Sequence, residues 1–273
     1  MDVTLLGTGN PLPDLNRGGP ATLVRAGASI ILIDAGRGVM QRVMGAGVFP
    51  PLLTTVFITH LHSDHISDLN DVITTHWVMN PQPAELTIYG PPRMKEIVNA
   101  ILAMLVPDIE YRLAHHEDLN WEPQLKVIEV EPGDTFMVGD TSVRVAASDH
   151  KPVHPSVAFR IDHDGTSVVI GGDGIPCAGL DELCAGATAY VQTVIREDLV
   201  KLIPNQRFKD ILDYHSSVEQ AAETAARGGV KKLILTHYVP AMQPGQEDEW
   251  RARAAAHFSG EIFLGDDLLN VTI

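Results

Sequence analysis

The chain has 273 residues, of which 45% are apolar and 20% are charged, so it can bury a sizeable core and lacks the composition of a disordered protein. Its net charge of −15 disfavours a polyanionic partner, because the 20 lysines and arginines are scattered and form no basic block. The two cysteines, Cys177 and Cys184, fit neither a zinc knuckle nor a disulfide framework.

The amino-terminal sequence Met1–Gly7 has the pattern of a β-strand and lacks the basic start and long apolar stretch of a signal peptide. No apolar run reaches the roughly 18 residues that a membrane-spanning helix needs. We therefore expect a cytoplasmic protein with no membrane contact.

Short apolar runs, often β-branched and bounded by Gly, Pro or Asp, predict strands along the whole chain. They are Val3–Leu6, Ser29–Ile33, Thr55–Thr59, Leu86–Tyr89, Lys126–Val130, Ser142–Ala147, Ser156–Ile161, Ser167–Ile170, Leu233–Thr236 and Glu261–Leu264. Helical spacing predicts helices over about 37–46, 65–79, 92–106, 217–228 and 246–257, the fourth capped by Ser216 or Ser217. Residues 107–124 form the least regular segment. The pattern predicts an α/β protein and, without a repeat or linker, one domain over residues 1–273.

The segment after the third predicted strand is the most informative motif. It contains four potential metal ligands, His60, His62, Asp64 and His65, and these residue types bind zinc, iron and manganese. His60 and His62 face the same way in extended chain, whereas Asp64 and His65 diverge from that line. One ion cannot readily use all four groups, so the motif favours two adjacent ions over a histidine-rich surface turn. Sites with two metal ions are mostly hydrolytic.

A site for two ions needs further ligands, and three residues stand where a predicted strand passes into a loop. These are His150, Asp173 and His237, which follow the strands Ser142–Ala147, Ser167–Ile170 and Leu233–Thr236. Strand ends are where α/β proteins commonly build their sites. By spacing alone, a structural role remains open for each of the three.

Together these motifs resemble the metallo-β-lactamase superfamily, and within it the branch of ribonuclease Z and the arylsulfatase-like enzymes. Further matching segments are Leu6–Pro11, Ile33–Gly38, Asp149–Arg160, Tyr214–Ser217 and Leu235–Tyr238, so the resemblance covers about residues 3 to 240. It implies a four-layer αββα sandwich with metal ions at the edge between two sheets.

The resemblance also implies how the ligands are divided between the ions. His60, His62 and His150 would hold one ion, Asp64, His65 and His237 would hold the other, and Asp173 would bridge them. Zinc is the first expectation for both ions, and manganese or iron are the alternatives.

Three other residues near these ligands are assigned by the same resemblance. His154 shares a loop with His150, but the family's ligand directly follows an aspartate, which favours His150 and leaves His154 facing substrate or solvent. Asp34 resembles an aspartate that orients a metal ligand by hydrogen bonding. Gly174 departs from the family, whose members often have a hydroxyl residue after the bridging aspartate, and this puts a hydrogen bond near Asp173 in doubt.

A hydrolytic mechanism follows from the resemblance. Two cations would lower the pKa of a shared water and supply a bridging hydroxide, which Asp64 would orient. His215 would protonate the leaving group, and its alternative is a helix-flanking histidine bonded to backbone. Arg17, Trp77 and Tyr238, with His154, are candidates for the substrate mouth, against an ordinary packing or surface role.

The choice of substrate depends on two features of the chain. Ribonuclease Z members of the branch carry a basic exosite for transfer RNA, often between the ligands that match His150 and Asp173. Only 22 residues separate these positions here, and the chain is acidic. We therefore expect a small-molecule ester substrate and no nucleic acid, with a phosphodiester or aryl sulfate ester ranked first and a lactone or carboxylic ester second. Cleavage of transfer RNA at its 3′ end and iron redox chemistry rank lower, and a homodimer is a further expectation because relatives frequently dimerise.

Overall fold

The computed structural model describes residues 1–273 and contains two seven-stranded sheets. Their strands are β1 Asp2–Gly7, β2 Ala21–Ala26, β3 Ser29–Ile33, β4 Thr55–Phe57, β5 Glu85–Gly90, β6 Gln124–Glu129, β7 Thr135–Val138, β8 Thr141–Ala147, β9 Val157–His163, β10 Thr166–Ile170, β11 Ala189–Ile195, β12 Lys232–Val239, β13 Glu261–Leu264 and β14 Asn270–Thr272. The first sheet has the order β14-β1-β2-β3-β4-β5-β6, and the second has the order β13-β12-β11-β10-β9-β8-β7. Every strand predicted from the sequence is present.

Four strands escape prediction from the sequence. Strands β2 and β11 interrupt their apolar runs with Arg25 and Gln192, whereas β7 and β14 have only four and three residues. These strands are defined by pairing with their neighbours in the sheets more than by their own composition.

The direction of the strands decides where functional groups can meet. Strands β3 to β6 are parallel in the first sheet, as are β10 to β13 in the second. The carboxyl ends of parallel strands lie at one edge of a sheet, and the loops that follow them meet there.

Helices cover the outer faces of both sheets. They are α1 Val39–Gly45, α2 Ser63–Ile66, α3 Leu69–Met79, α4 Met94–His115, α5 Ala178–Cys184, α6 Glu197–Val200, α7 Gln206–Asp210, α8 Val218–Gly228 and α9 Glu247–Ala255. Helices α1, α3 and α4 pack on the first sheet, and α5, α8 and α9 pack on the second. The predicted four-layer αββα sandwich is therefore confirmed. No helix combines the length and the apolar character needed to cross a membrane.

Two helix ends show how local sequence and packing compete. Helix α8 begins as predicted, with Ser217 and Gln220 forming a reciprocal capping box. The expectation of an irregular segment after residue 106 is wrong, because α4 continues through Pro107 to His115. Pro107 removes one backbone hydrogen bond, but the partly buried Leu105 keeps this part of the helix against the protein.

The space between the sheets is filled by 19 buried apolar residues contributed by both sheets. In this layer Phe57 of β4 lies against Phe159 of β9, with 4.8 Å between ring centroids and no exposure of either side chain. This contact joins strands of opposite sheets close to the edge where the predicted ligands emerge. The packing of the two sheets therefore fixes the distance between the two halves of the site.

Replacing Phe159 with alanine should lower the free energy of unfolding by about 3–5 kcal/mol, because the cavity between the sheets cannot close fully. Urea unfolding at equilibrium measures this change. The control is Phe49→Ala, since the Phe49 side chain is 46% exposed and should contribute much less. Equal losses in the two variants would contradict the central place of Phe159 in the core.

Candidate metal centre

The first half of the centre follows strand β4. His60 lies in the extended chain after the strand, and His62 is the residue that precedes the short helix α2. Asp64 and His65 lie inside that helix, so their side chains leave the line of His60 and His62, as the spacing predicts. His60 and His65 are almost completely buried, with exposures of 0% and 1%.

The second half comes from the opposite sheet. His150 follows β8, Asp173 follows β10 and His237 lies in β12. His237 has a φ of 53°, and Asp34, at the end of β3, has a φ of 62°. Left-handed backbone is costly for residues other than glycine and persists where the surrounding structure requires it, often at functional sites.

The structure brings all seven predicted ligands together in two groups. The first contains His60, His62, His150 and Asp173, and the second contains Asp64, His65 and His237. Within each group, one ligand atom of every residue lies within 4.8 Å of those of the others. Apart from Asp173, which falls in the first group here, this grouping agrees with the division that the resemblance implies. His154 is exposed and belongs to neither group.

In the first group three imidazole nitrogens converge. His62 Nδ1 lies 3.1 Å from His60 Nε2 and 3.2 Å from His150 Nε2. His150 is oriented by its other nitrogen, because its Nδ1–H donates to the carbonyl oxygen of Tyr214 at 2.8 Å. The Nε2 atom that remains carries a lone pair directed at the centre.

Asp173 reaches both groups. Its Oδ2 lies 3.8 Å from Nε2 of His60, 3.4 Å from Nε2 of His65 and 3.8 Å from Nε2 of His237. The side chain is 2% exposed, and its other oxygen, Oδ1, has no hydrogen-bond partner. This carboxylate can therefore serve both groups at once.

The donor atoms fit divalent cations. His65 Nε2 and Asp173 Oδ1 are buried polar atoms without a hydrogen-bond partner. Buried polar groups of this kind are rare and call for an explanation such as a bound ion. Nitrogen and carboxylate donors clustered in this way have the chemistry of zinc, manganese or iron sites.

The pKa values of Asp64 and Asp173 are lowered, and burial lowers those of His60, His62 and His150, whereas the nearby carboxylates raise the pKa values of His65 and His237. Burial alone would raise the pKa of Asp173, but His237, His65 and a hydrogen bond from His215 hold it well below its usual value. Burial lowers the pKa of His150 to about 4. Burial would also lower the pKa of His65, yet the carboxylates of Asp173 and Asp34 raise it well above its usual value. A cation bound at His65 must therefore displace a proton.

Asp34 supports the centre from outside. Its carboxylate accepts hydrogen bonds from the backbone N–H of Thr59 at 2.8 Å and from Nδ1–H of His65 at 2.7 Å. The hydroxyl of Thr59 also donates to it, at 2.9 Å to Oδ2. Asp34 therefore fixes the ring of His65 with Nε2 facing the centre, the role that the resemblance implies.

Ser148 compensates for the missing side chain at Gly174. Its hydroxyl donates to the backbone carbonyl of Asp173 at 2.8 Å and occupies the space that a Cβ atom at Gly174 would need. A hydrogen bond near Asp173 is therefore supplied by the residue that follows strand β8. The sequence gives no signal for this, because residues 148 and 174 meet only in the folded chain.

His215 lies beside the two groups without belonging to either. Its Nδ1–H donates to the carbonyl oxygen of Ile211 at 3.1 Å, and its Nε2 lies 3.2 Å from Asp173 Oδ2. The backbone bond expected for a helix-flanking histidine is present, but the other nitrogen faces the centre. The side chain is 7% exposed and adjoins the cleft that leads to both groups.

A cleft of about 580 Å³ opens onto the centre. It is lined by His62, Asp64, Asp173, His215 and His237 at its base. Its walls are formed by Asn10, Pro11, Leu12, Ser63, Ile203, Arg207, Phe208, Ile211, Tyr214, Val239, Pro240 and Ala241.

None of the four residues predicted at the substrate mouth lines this cleft. Trp77 is buried and donates to the carbonyl oxygen of Trp121 at 2.8 Å, and Tyr238 is buried and donates to that of Leu235 at 2.8 Å. These two predictions are wrong, because both side chains are packed in the interior of the protein.

Arg17 and His154 lie outside the cleft for different reasons. Arg17 donates to Thr8 Oγ1 at 2.6 Å and lies 3.4 Å from Asp266, so its charge serves a local contact. His154 lies in an exposed loop. The wall residues Arg207 and Phe208 were missed, because no pattern in the sequence around them places them beside the centre.

Known proteins resemble the chain over its whole length. The family model of the β-lactamase superfamily domain matches residues 30–238. A ribonuclease Z of Mycobacterium avium is 56% identical, with 100% of this chain and 98% of the relative covered, and that of Mycolicibacterium gilvum is 54% identical, with 100% and 96% covered.

Solved structures agree on the fold. The metallo-β-lactamase fold protein YhfI of Bacillus subtilis has a TM-score of 0.77 and 20% identity, with 99% of this chain and 98% of the other covered. The short form of human tRNase Z has a TM-score of 0.73 and 26% identity, with 100% and 99% covered.

The expectation of a small-molecule ester substrate and no nucleic acid is wrong. Full-length relatives with more than half of their residues identical are ribonucleases by name. The net charge of the chain is a poor guide to its substrate, because it averages the whole surface. The potential inside a cleft depends on local groups and on any bound cations. The short spacing between His150 and Asp173 excludes a long insertion at that place and nothing more.

The matched superfamily domain, the similarity to ribonuclease Z over the full chain and the shared αββα fold agree with one another. The chain belongs to the metallo-β-lactamase superfamily and, within it, to the ribonuclease Z branch.

Proposed function

We propose that this protein is a metal-dependent endoribonuclease that cleaves a phosphodiester bond near the 3′ end of precursor transfer RNA. The observation that carries the proposal is 56% identity over the full chain to a ribonuclease Z, joined to an uninterrupted set of seven ligand residues. The similarity to human tRNase Z over the same length supports the choice of transfer RNA.

His60, His62 and His150 would hold one ion, Asp64, His65 and His237 would hold the other, and Asp173 would serve both. Zinc is the preferred metal because imidazole and carboxylate ligands suit it well, and manganese and iron remain alternatives. When bound, two such cations supply positive charge that attracts a phosphate, stabilises charge developing on it and makes water more acidic.

The residues of the chain then divide the work of hydrolysis. Asp64 orients the attacking water and accepts its proton as the water oxygen adds to phosphorus. The bond between phosphorus and the leaving oxygen breaks, and that oxygen takes a proton from Nε2 of His215. His215 suits this role because Ile211 holds its Nδ1–H and leaves Nε2 facing the cleft at the centre.

Cleavage of a precursor transfer RNA by the purified, zinc-loaded protein tests the proposal directly. A single cut near the 3′ end that disappears on chelation and returns with added zinc is the expected result. A protein that holds both ions and leaves the precursor intact, under conditions in which a known ribonuclease Z cuts it, would overturn the proposal.

Replacing Asp173 with alanine should remove at least one of the two ions and abolish cleavage, because this carboxylate reaches both groups. Metal analysis after gel filtration measures the loss. Asp181→Ala is the control, since Asp181 is an exposed aspartate that pairs with Arg227. Two retained ions with full activity in Asp173→Ala would refute the bridging role.

The variant Asp34→Asn should weaken metal affinity by about 10- to 100-fold, because its amide cannot accept every hydrogen bond that now orients His65. Competition with a chromophoric chelator measures the affinity. Asp71→Asn serves as the matched control, since the Asp71 carboxylate binds only Thr75 Oγ1. Unchanged affinity in Asp34→Asn would show that His65 needs no such support.

His215→Ala should keep both ions and slow cleavage by about 100-fold or more for poor leaving groups. Aryl phosphodiesters whose phenols differ in pKa test this, since good leaving groups need no acid. The rate loss should grow with the pKa of the phenol. A uniform loss across the series would show that His215 is not the proton donor.

A further inference from the structure

One wall of the cleft is built by a segment that the metal centre does not use. Residues 197–213 contain the short helices α6 and α7 and lead directly to His215. Arg207, Phe208 and Ile211 of this segment line the cleft, and Leu12 and Pro240 line it as well. A mainly apolar wall with one cation therefore stands beside the proposed reacting groups.

Phe208 is an aromatic ring without a structural partner. It is half-buried, belongs to none of the apolar clusters of the core and pairs with no other ring. Its neighbour Ile211, by contrast, packs against a small buried cluster of Ile195, Val200 and Val239. The segment is therefore anchored by Ile211, while the ring of Phe208 remains available at the cleft.

Arg207 is a cation without a carboxylate. Its guanidinium group makes no ion pair and no hydrogen bond, although the protein carries 35 acidic residues. In contrast, Arg196 and Arg253 are both paired with Asp198. An unpaired arginine that lines a cleft next to a phosphate-cleaving centre is suited to bind an anion.

The segment contacts His215, the proposed proton donor to the leaving group. Ile211 supplies the carbonyl oxygen that accepts Nδ1–H of His215 at 3.1 Å. Because His215 is the proposed proton donor to the leaving oxygen, the wall that holds it lies next to the nucleotide that carries this oxygen.

We propose that Phe208 and Arg207 form a nucleotide subsite of the cleft, an inference that rests on the proposed function. Phe208 stacks on the base of the nucleotide that carries the leaving oxygen, and Arg207 pairs with a phosphate next to that nucleotide. Stacking on an aromatic ring tolerates every base, and one arginine adds a phosphate contact without a basic patch. The subsite lets an acidic protein hold the end of an RNA chain locally.

An abasic nucleotide in the substrate tests the stacking contact. The zinc-loaded protein is given precursor transfer RNA with either a normal or an abasic nucleotide on the leaving-group side of the cut, which analysis of the product ends identifies. Wild type should cleave the normal substrate at least about fivefold more efficiently, in kcat/KM. In Phe208→Leu this ratio should fall to about one, and in Phe208→Tyr it should return.

The outcomes separate this inference from the proposed function. If the wild-type protein cleaves none of these RNA substrates, the proposed function itself is wrong. Normal cleavage with the same base preference in wild type and Phe208→Leu, both holding two ions, would overturn only the stacking contact. Metal content also shows whether a variant has lost the centre instead of the subsite.

A matched pair of charge variants tests the phosphate contact. Arg207→Gln should raise KM. It should also reduce the slope of log KM against log salt concentration by about one, which corresponds to the loss of one phosphate contact. Lys209→Gln removes the same charge from the same segment, but Lys209 does not line the cleft, so it should change both quantities little. Equal effects of the two variants would show a general charge effect and overturn the assignment of Arg207.

Discussion

The buried carboxylate of Asp173 holds the two halves of this protein's site in one place. Its Oδ2 atom lies between 3.2 and 3.8 Å from nitrogens of His60, His65, His215 and His237. Those histidines come from both sheets, so the contact exists only if the sheets pack at one fixed separation. The apolar layer between the sheets, which includes the Phe57–Phe159 contact, sets that separation, and Ser148 holds the backbone of Asp173 by a hydrogen bond. Core packing and site geometry are thus parts of the same constraint.

Charge explains how an acidic chain can belong to a branch of RNA-cleaving enzymes. The net charge of −15 is spread over the whole surface, whereas a phosphodiester meets only the cleft. Within the cleft the two proposed cations would outweigh the carboxylates of Asp64 and Asp173. The unpaired Arg207 would add one more positive charge at the wall. Binding in this arrangement depends on a few well-placed groups, so it needs no broad basic surface.

Much of the site could be predicted because its signals are local. His60, His62, Asp64 and His65 lie within six residues, and each of the other three ligands follows or ends a recognisable strand. Spacing and strand ends therefore pointed to all seven, and the family resemblance divided them between two ions. Roles that depend on distant contacts could not be found in this way. Trp77 and Tyr238 look like exposed aromatic candidates in the sequence, but the fold buries both.

The residues that form the wall of the cleft also could not be predicted from the sequence. Residues 197–213 have little regular pattern, and nothing in their spacing indicates that Phe208 and Arg207 stand beside His215. The continuation of helix α4 from Pro107 to His115 was also missed, because a proline inside a helix is tolerated only where packing supports it.

The sequence by itself determined the chemistry of the centre, since the kinds of ligand and their order along the chain are fixed by residue identity. It also determined the alternation of strands and helices from which the sandwich is built. The tertiary structure alone decided which groups share Asp173, which hydroxyl supports it and which side chains face the substrate. Those properties depend on distances between residues far apart in the chain, and such distances arise only when the two sheets pack together.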